Sequence, residues 1–272
     1  MKTLRYLIPV PFMVMLLLFQ IAPAGWVVMN GFQSSGEWTL DNFREIAGSA
    51  FFLQSFWNSL AISFWSSFLG LGVAVIAAYS LRRVPGRLQG AVLSFSNMVS
   101  NFSGVPLAFA FIIILGTNGC ITLILRHIGV ELPSLYSRGG LILLYTYFQI
   151  PLGILLIYPA FDALNDDWQE AAFILGASFP TYARRVVGPI LAPACLNTFI
   201  LLYANAIGAY ATVYALTTGN YNLLTIRIAS LVAGDVSLEP ELAAALAVCL
   251  VVIMVAFALL SSLIARRYVH VR

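Results

Sequence analysis

Charge is what this sequence has least of. Its 272 residues include 14 basic and 11 acidic side chains, 9% charged against 61% hydrophobic, with a mean hydropathy of +0.92. A soluble domain carries about 25% charged residues, so a water-facing surface cannot be built from this composition. A disordered chain and a disulfide-stapled secreted scaffold are excluded with it. Lysine occurs once, at Lys2. A P-loop needs G-x-x-x-x-G-K-[ST], whose lysine reaches the nucleotide phosphates, so this sequence holds no nucleotide-hydrolysing loop. Histidine occurs at His127 and His270, and cysteine at Cys120, Cys195 and Cys249, far apart and without a C-x-x-C. From these we expect no metal site, no disulfide and no catalytic residue; the cysteines read as small apolar fillers. Paired carboxylates and a nucleophile elbow are missing too, so the chain is not read as an enzyme.

What is present is apolar length. Six runs lie at about residues 6–28, 56–81, 91–115, 141–159, 192–216 and 243–265, and none holds an acidic or basic side chain between its ends. A span needs about 20 apolar residues, and a charge at the bilayer centre costs at least about 2.5–3.5 kcal/mol. A β-barrel is disfavoured because Phe111–Leu115 and Leu250–Met254 are continuously apolar rather than alternating. The start resembles a signal peptide, with Lys2 and Arg5 ahead of an apolar stretch and Ala22-Pro23-Ala24 as a small-residue triplet. Proline inside that triplet, and the continuation through Trp26–Met29, argue instead for a retained first helix.

Basic residues set orientation. With the N-terminus inside and alternation thereafter, the inner pieces carry ten basic and four acidic residues and the outer loops four and seven. The expected fold is therefore an all-α polytopic membrane protein with six transmembrane helices and both termini cytoplasmic. Two loops are long. The outer one, about 217–240, contains Leu223–Leu231, which reads either as a short amphipathic helix at the interface or as an ordinary structured loop.

The inner one, about 160–191, holds Asn165-Asp-Asp-Trp-Gln-Glu-Ala-Ala-Phe-Ile-Leu-Gly176. Asp166 or Asp167 can cap a helix, and Glu170 complements its dipole. Ala171 and Ala172 are strong helix formers with almost no side chain, and Gly176 ends or bends the helix. Ser178 can cap a second helix, with Pro180 in its first turn, running through Arg184 and Arg185 to Pro189 and Pro193. Such a small-residue surface with one carboxylate suits docking into another protein's groove; it equally suits a connector packed on its own bundle.

Glu170-Ala171-Ala172-x-x-x-Gly176-Ala177-Ser178, then Arg184-Arg185-Val186-Val187-x-Pro189 and Pro193, resembles the EAA loop of permease subunits of binding-protein-dependent ABC importers. The position two spans before the C-terminus agrees. Gly188 departs from the leucine usual there, and Ala183 from a larger apolar residue. The resemblance implies a type I importer permease, one transmembrane domain over 1–272, in a bacterial inner membrane. It implies partners: an ABC ATPase dimer, a second permease (a different one first, a homodimer second) and a periplasmic solute-binding protein, with lipid around and no nucleic acid. ATP and Mg would be held by the ATPase, with no cofactor in this chain. Glu170, Ala171, Ala172 and Gly176, with Ala177, Ser178, Arg184 and Arg185, would form the ATPase-coupling loop.

Polar residues within the spans are the candidates for a solute path: Asn97 and Asn101, Gln149, and Tyr203 and Asn205. Polar groups in lipid face the bundle interior, either bonding helix to helix or lining a cavity. Pro106 and Pro151 point to broken or kinked helices. The segment Asn97-x-x-x-Asn101-Phe-Ser-Gly104-Val-Pro106 resembles the spermidine/putrescine-type branch, which includes iron and aminoethylphosphonate relatives. That makes polyamine the first solute, although the spans hold no carboxylate for a polycation. A self-contained secondary transporter, the alternative of a different class, would call for buried ionisable residues or inverted repeats, and neither is visible.

Overall fold

Helix formation here follows from the demand of lipid that backbone groups be satisfied within each segment. The structure, a computed structural model, describes residues 10–34, 36–84, 86–131, 133–234 and 238–269. Lys2, Arg5, residues 6–9 of the first apolar run, Asp235, His270 and Arg272 lie outside the described residues. Among the described residues, six helical stretches are long and apolar enough to cross a membrane: Val10–Gly31, Ala50–Leu81, Val105–His127, Arg138–Asp162, Phe179–Gly208 and Pro240–Ser261. Large apolar side chains such as Phe19, Ile76 and Ile113 are more than two-thirds exposed. Water would not tolerate that surface; hydrocarbon does.

The chain divides into two units, Met1–Phe56 with Asn222–Ile253, and Trp57–Tyr221 with Met254–Arg272. The first holds α1 (Val10–Gly31, with a π-turn over Leu17–Ile21), a hairpin of β1 (Gln33–Ser34) and β2 (Glu37–Trp38), α2 (Asp41–Gly48) and the start of α3 (Ala50–Leu81). It also holds α11 (Leu224–Ala233) and most of the apolar part of α12 (Pro240–Val269). The buried Asn42 amide donates to the carbonyls of Gln33 at 2.7 Å and Gly31 at 3.4 Å, tying the hairpin to α2. Gly31 eases the approach of α1 to α12, since a Cβ there would lie 3.1 Å from the Ala245 nitrogen and the neighbouring backbone would have to give. The 223–231 segment is helical as α11, and its Leu224 is buried with Ile46, Leu242, Ala245 and Leu246.

The second unit contains the rest of α3, then α4 (Gly86–Ser100), α5 (Val105–Leu115), α6 (Cys120–His127), α7 (Arg138–Asp162), α8 (Asp166–Ile174), α9 (Phe179–Gly208) and α10 (Ala211–Thr217), with the end of α12. Its core is the α3–α7 seam. A Cβ on Gly153 would sit 2.8 Å from the Ala74 Cβ, and one on Gly70 2.8 Å from the Gln149 Cβ. Small residues let the two backbones close, which is how helices associate in lipid without a hydrophobic drive between them. Ala74, Ala78 and Leu81 meet Ile154, Ile157, Phe161 and Leu164 along this seam.

Three local features differ from the sequence-based expectation. The 91–115 run is divided between α4 and α5, because Gly104 adopts φ 78 and Pro106 sits in the first turn of α5, where it needs no N–H partner. Pro189 and Pro193 do not interrupt the approach to span five. A π-turn over Ala183–Val187 precedes Pro189, and its wider ladder lets the chain remain helical from Phe179 to Gly208. α8 is capped by Asn165, not by Asp166 or Asp167: its side chain accepts from the Asp167 amide at 3.0 Å, leaving both acids inside the first turn.

Candidate functional site

Two places in the second unit gather the residues singled out by sequence. The first is a cavity of about 780 Å³ where two helix breaks meet. α4 ends at Ser100, and the chain turns through Asn101–Gly104 before α5; α9 ends at Gly208, and α10 starts at Ala211. The breaks are bonded to their surroundings. The Gly104 amide donates to Thr212 Oγ1 at 2.9 Å, and the Tyr145 hydroxyl donates to the Ala209 carbonyl at 2.9 Å. Asn97, Ser100, Asn101, Ser103 and Asn205 line the cavity on one part of its wall; Phe148, Leu152, Leu155 and Leu156 of α7 form another. Among the described residues, every lining group that can hydrogen-bond is an amide, a hydroxyl or backbone, and no charged side chain contributes. Such a wall can exchange bonds with a hydrated solute without holding it tightly.

The structure thus brings Asn97, Asn101 and Asn205 together, and places Gln149 and Tyr203 elsewhere. Gln149 is fully buried between α3 and α7, where its amide donates to Ser67 Oγ at 2.7 Å. Tyr203 packs on Phe257 at a ring separation of 4.3 Å. Thr212 and the leucine face of α7 line the cavity and were not singled out by sequence. The signal for the leucines was the spacing 152, 155, 156, one helical face.

The second place is the 160–191 loop. α8 presents no buried residue. At its end Ile174 is 85% exposed and Leu175 86% exposed, an apolar tip that the sequence reading did not single out. Glu170 and Ala171 are exposed, Ala172 half-buried. Gly176 follows at φ 78, with its amide bonded to the Phe173 carbonyl and the Ala177 amide to the Ala172 carbonyl, which closes the helix with a left-handed turn. Ser178 pairs its hydroxyl with that of Thr181 at 2.9 Å as α9 begins. The base of the loop is anchored: Phe179 lies 6.2 Å from Tyr79 of α3, and Phe173 6.1 Å from the buried Tyr182. Arg184 and Arg185 are exposed in the π-turn. The loop therefore has a fixed base and a free apolar-and-alanine surface.

Residues 70–270 match the family described as binding-protein-dependent transport system inner membrane component. The chain belongs to this family. As an inner-membrane component with six apolar helices it is a multi-pass protein of the inner membrane. It is 30% identical over 271 residues to a probable ABC transporter permease protein of Sinorhizobium fredii, covering 96% of this chain and 43% of that one. It is 27% identical to the thiamine transport system permease protein of Escherichia coli, over 75% of this chain and 39% of the relative. A spermidine/putrescine transport system permease protein of Haemophilus influenzae is 25% identical, over 80% and 78%. The chain thus spans less than half the length of the first two. Among solved structures, a bacterial ABC transporter involved in import of the acidic polysaccharide alginate shares the fold of this inner-membrane component at a TM-score of 0.78, with 18% identity over 98% of this chain and 96% of the other.

Proposed function

We propose that this chain is the membrane-spanning permease subunit of an ATP-driven importer. It moves a small solute, delivered by a periplasmic binding protein, through the cavity between the two helix breaks. The energy comes from a separate ABC ATPase dimer that binds ATP and Mg and grips α8. The observation that carries this reading is α8 itself: a short helix with no buried residue and a bare Ile174–Leu175 tip, on a base packed against α3. An amphipathic connector would bury its apolar end in its own bundle; α8 exposes it. Glu170 then offers a carboxylate to basic or polar groups of the ATPase, while Ala171 and Ala172 permit close approach. Family membership supports the same reading.

The loop faces the cytoplasm, and both termini with it. A second permease completes the path, a different subunit before a second copy. For the solute, spermidine or putrescine is the first candidate, supported by the Haemophilus relative; iron and 2-aminoethylphosphonate follow. Among the described residues the amide-and-hydroxyl wall holds no carboxylate, so selectivity for a polycation would rest with the binding protein. The test is purification of the chain with its partners. An associated ATPase, with uptake that needs ATP and the binding protein, supports the reading. Uptake by the purified single chain would replace it with a self-contained transporter.

A further inference from the structure

α8 can work the spans only through what holds its base, and one side chain stands out there. Arg82 is the first residue after α3, with its amide bonded to the Ala78 carbonyl. Its side chain is 13% exposed, and its guanidinium donates to the Leu164 carbonyl and, at 2.6 Å, to Asp166 Oδ1. Leu164 lies in the three-residue link between α7 and α8, and Asp166 is the first residue of α8. Without Arg82, a displacement at the start of α8 would be carried by the short chain link to α7 and by the apolar Phe179–Tyr79 contact further along the loop. With it, the same displacement acts on the inner end of α3. Four residues further on, α4 begins and carries Asn97 and Ser100 to the cavity. α4 is also tied to α7 at this level: the Gln89 amide donates to the Tyr158 hydroxyl, which donates to Asp162 at 3.2 Å.

We infer that Arg82 is a positioning residue for transport, the tie through which the α8 coupling helix pulls on α3 and the cavity wall. This rests on the proposed docking of an ATPase on α8. The two acceptors are unequal. Asp166 is 81% exposed, where an ion pair contributes little. Leu164 is buried, and its carbonyl loses a charged donor when Arg82 is removed. Removing Arg82 therefore uncouples, whereas Asp166→Ala leaves most of the response.

The test uses the purified complex with Cys120, Cys195 and Cys249 replaced by alanine and a single reporter, Ser103→Cys, in the cavity. Alkylation of that thiol by a water-soluble maleimide is timed with and without ATP plus vanadate. In the parent the rate changes at least about five-fold, the low end of an ordinary coupling between sites. In Arg82→Ala most of that change is lost while the ATPase stays bound and hydrolyses ATP; a merely structural defect would lower all three together. Arg82→Lys, which keeps the charge without the fork, recovers part of the change. If Arg82→Ala does not accumulate, Arg82→Gln is read instead, with the same loss expected. A parent-sized response in Arg82→Ala or Arg82→Gln overturns the tie alone. A parent without any response, or without a bound ATPase, overturns the docking reading and the tie with it.

Discussion

Gln149 and Asn101 illustrate how a polar residue in lipid acquires its role from its neighbours. Both read alike in sequence, an amide inside an apolar run. In the fold, Gln149 donates to Ser67 and is fully buried, whereas Asn101 stands at the cavity and bonds back to the Asn97 carbonyl at 2.8 Å. An interhelical hydrogen bond in a membrane bundle contributes about 0.6 kcal/mol and at most about 1.7. Gln149→Leu should therefore lower the melting temperature in detergent slightly and leave uptake intact, whereas Asn101→Leu should cut uptake without loss of stability. Glycine at the seam is less forgiving. Gly153→Val drives a side chain into Ala74, 2.8 Å from the first added carbon, and overpacking of that kind costs about 1–3 kcal/mol. Gly72→Ala, with nothing within 4 Å, serves as the control and should melt at or slightly above the parent, since alanine is the better helix former.

Among the elements, the proposed function gives α8 and the two helix breaks the leading parts. The left-handed turn at Gly176 fixes the angle between α8 and α9, and a residue with a Cβ at φ 78 pays about 1–2 kcal/mol, most for a β-branched one. Gly176→Val should insert normally but lose the ATPase on purification. Ile174→Asp, at an 85% exposed site, should leave the melting temperature unchanged and weaken the same association. Much of this was legible in the residues. The absence of charge marks the apolar runs because lipid permits little else, and the helix over Asp166–Ile174 with its turn at Gly176 was readable because alanines favour a helix and a left-handed turn favours glycine. The break at Ala209–Tyr210 was not legible. Neither residue is a helix breaker; the interruption goes with bonds donated by distant residues, the Tyr145 hydroxyl to the Ala209 carbonyl and the Gly104 amide to Thr212 Oγ1. The break at Asn101–Gly104 was half legible, through Gly104 and Pro106. The cap went to Asn165, a neighbour of the expected aspartates, because any of three adjacent polar side chains can serve as N-cap, each accepting from the amide two or three residues further on.

For the molecule as a whole, the distribution of charge is the strongest constraint after its scarcity. Arg82, Arg83, Arg87, Arg184 and Arg185 belong to the segments assigned to the cytoplasm, and Glu37, Asp41 and Glu45 to the first outer loop. Cysteines introduced at exposed Glu37 and Arg184 should then react from opposite faces of sealed inner-membrane vesicles. The central claim is that α8 is the handle by which an ATPase moves these spans. The measurement that tests it most directly is cross-linking from a cysteine at Glu170, Ala171 or Ile174, in membranes containing the complete assembly. A covalent adduct to a nucleotide-binding subunit, with a yield that changes on ATP addition, is the expected result. If these positions are labelled from the periplasmic side, or join to no nucleotide-binding subunit while the assembly still imports its solute, the account is contradicted.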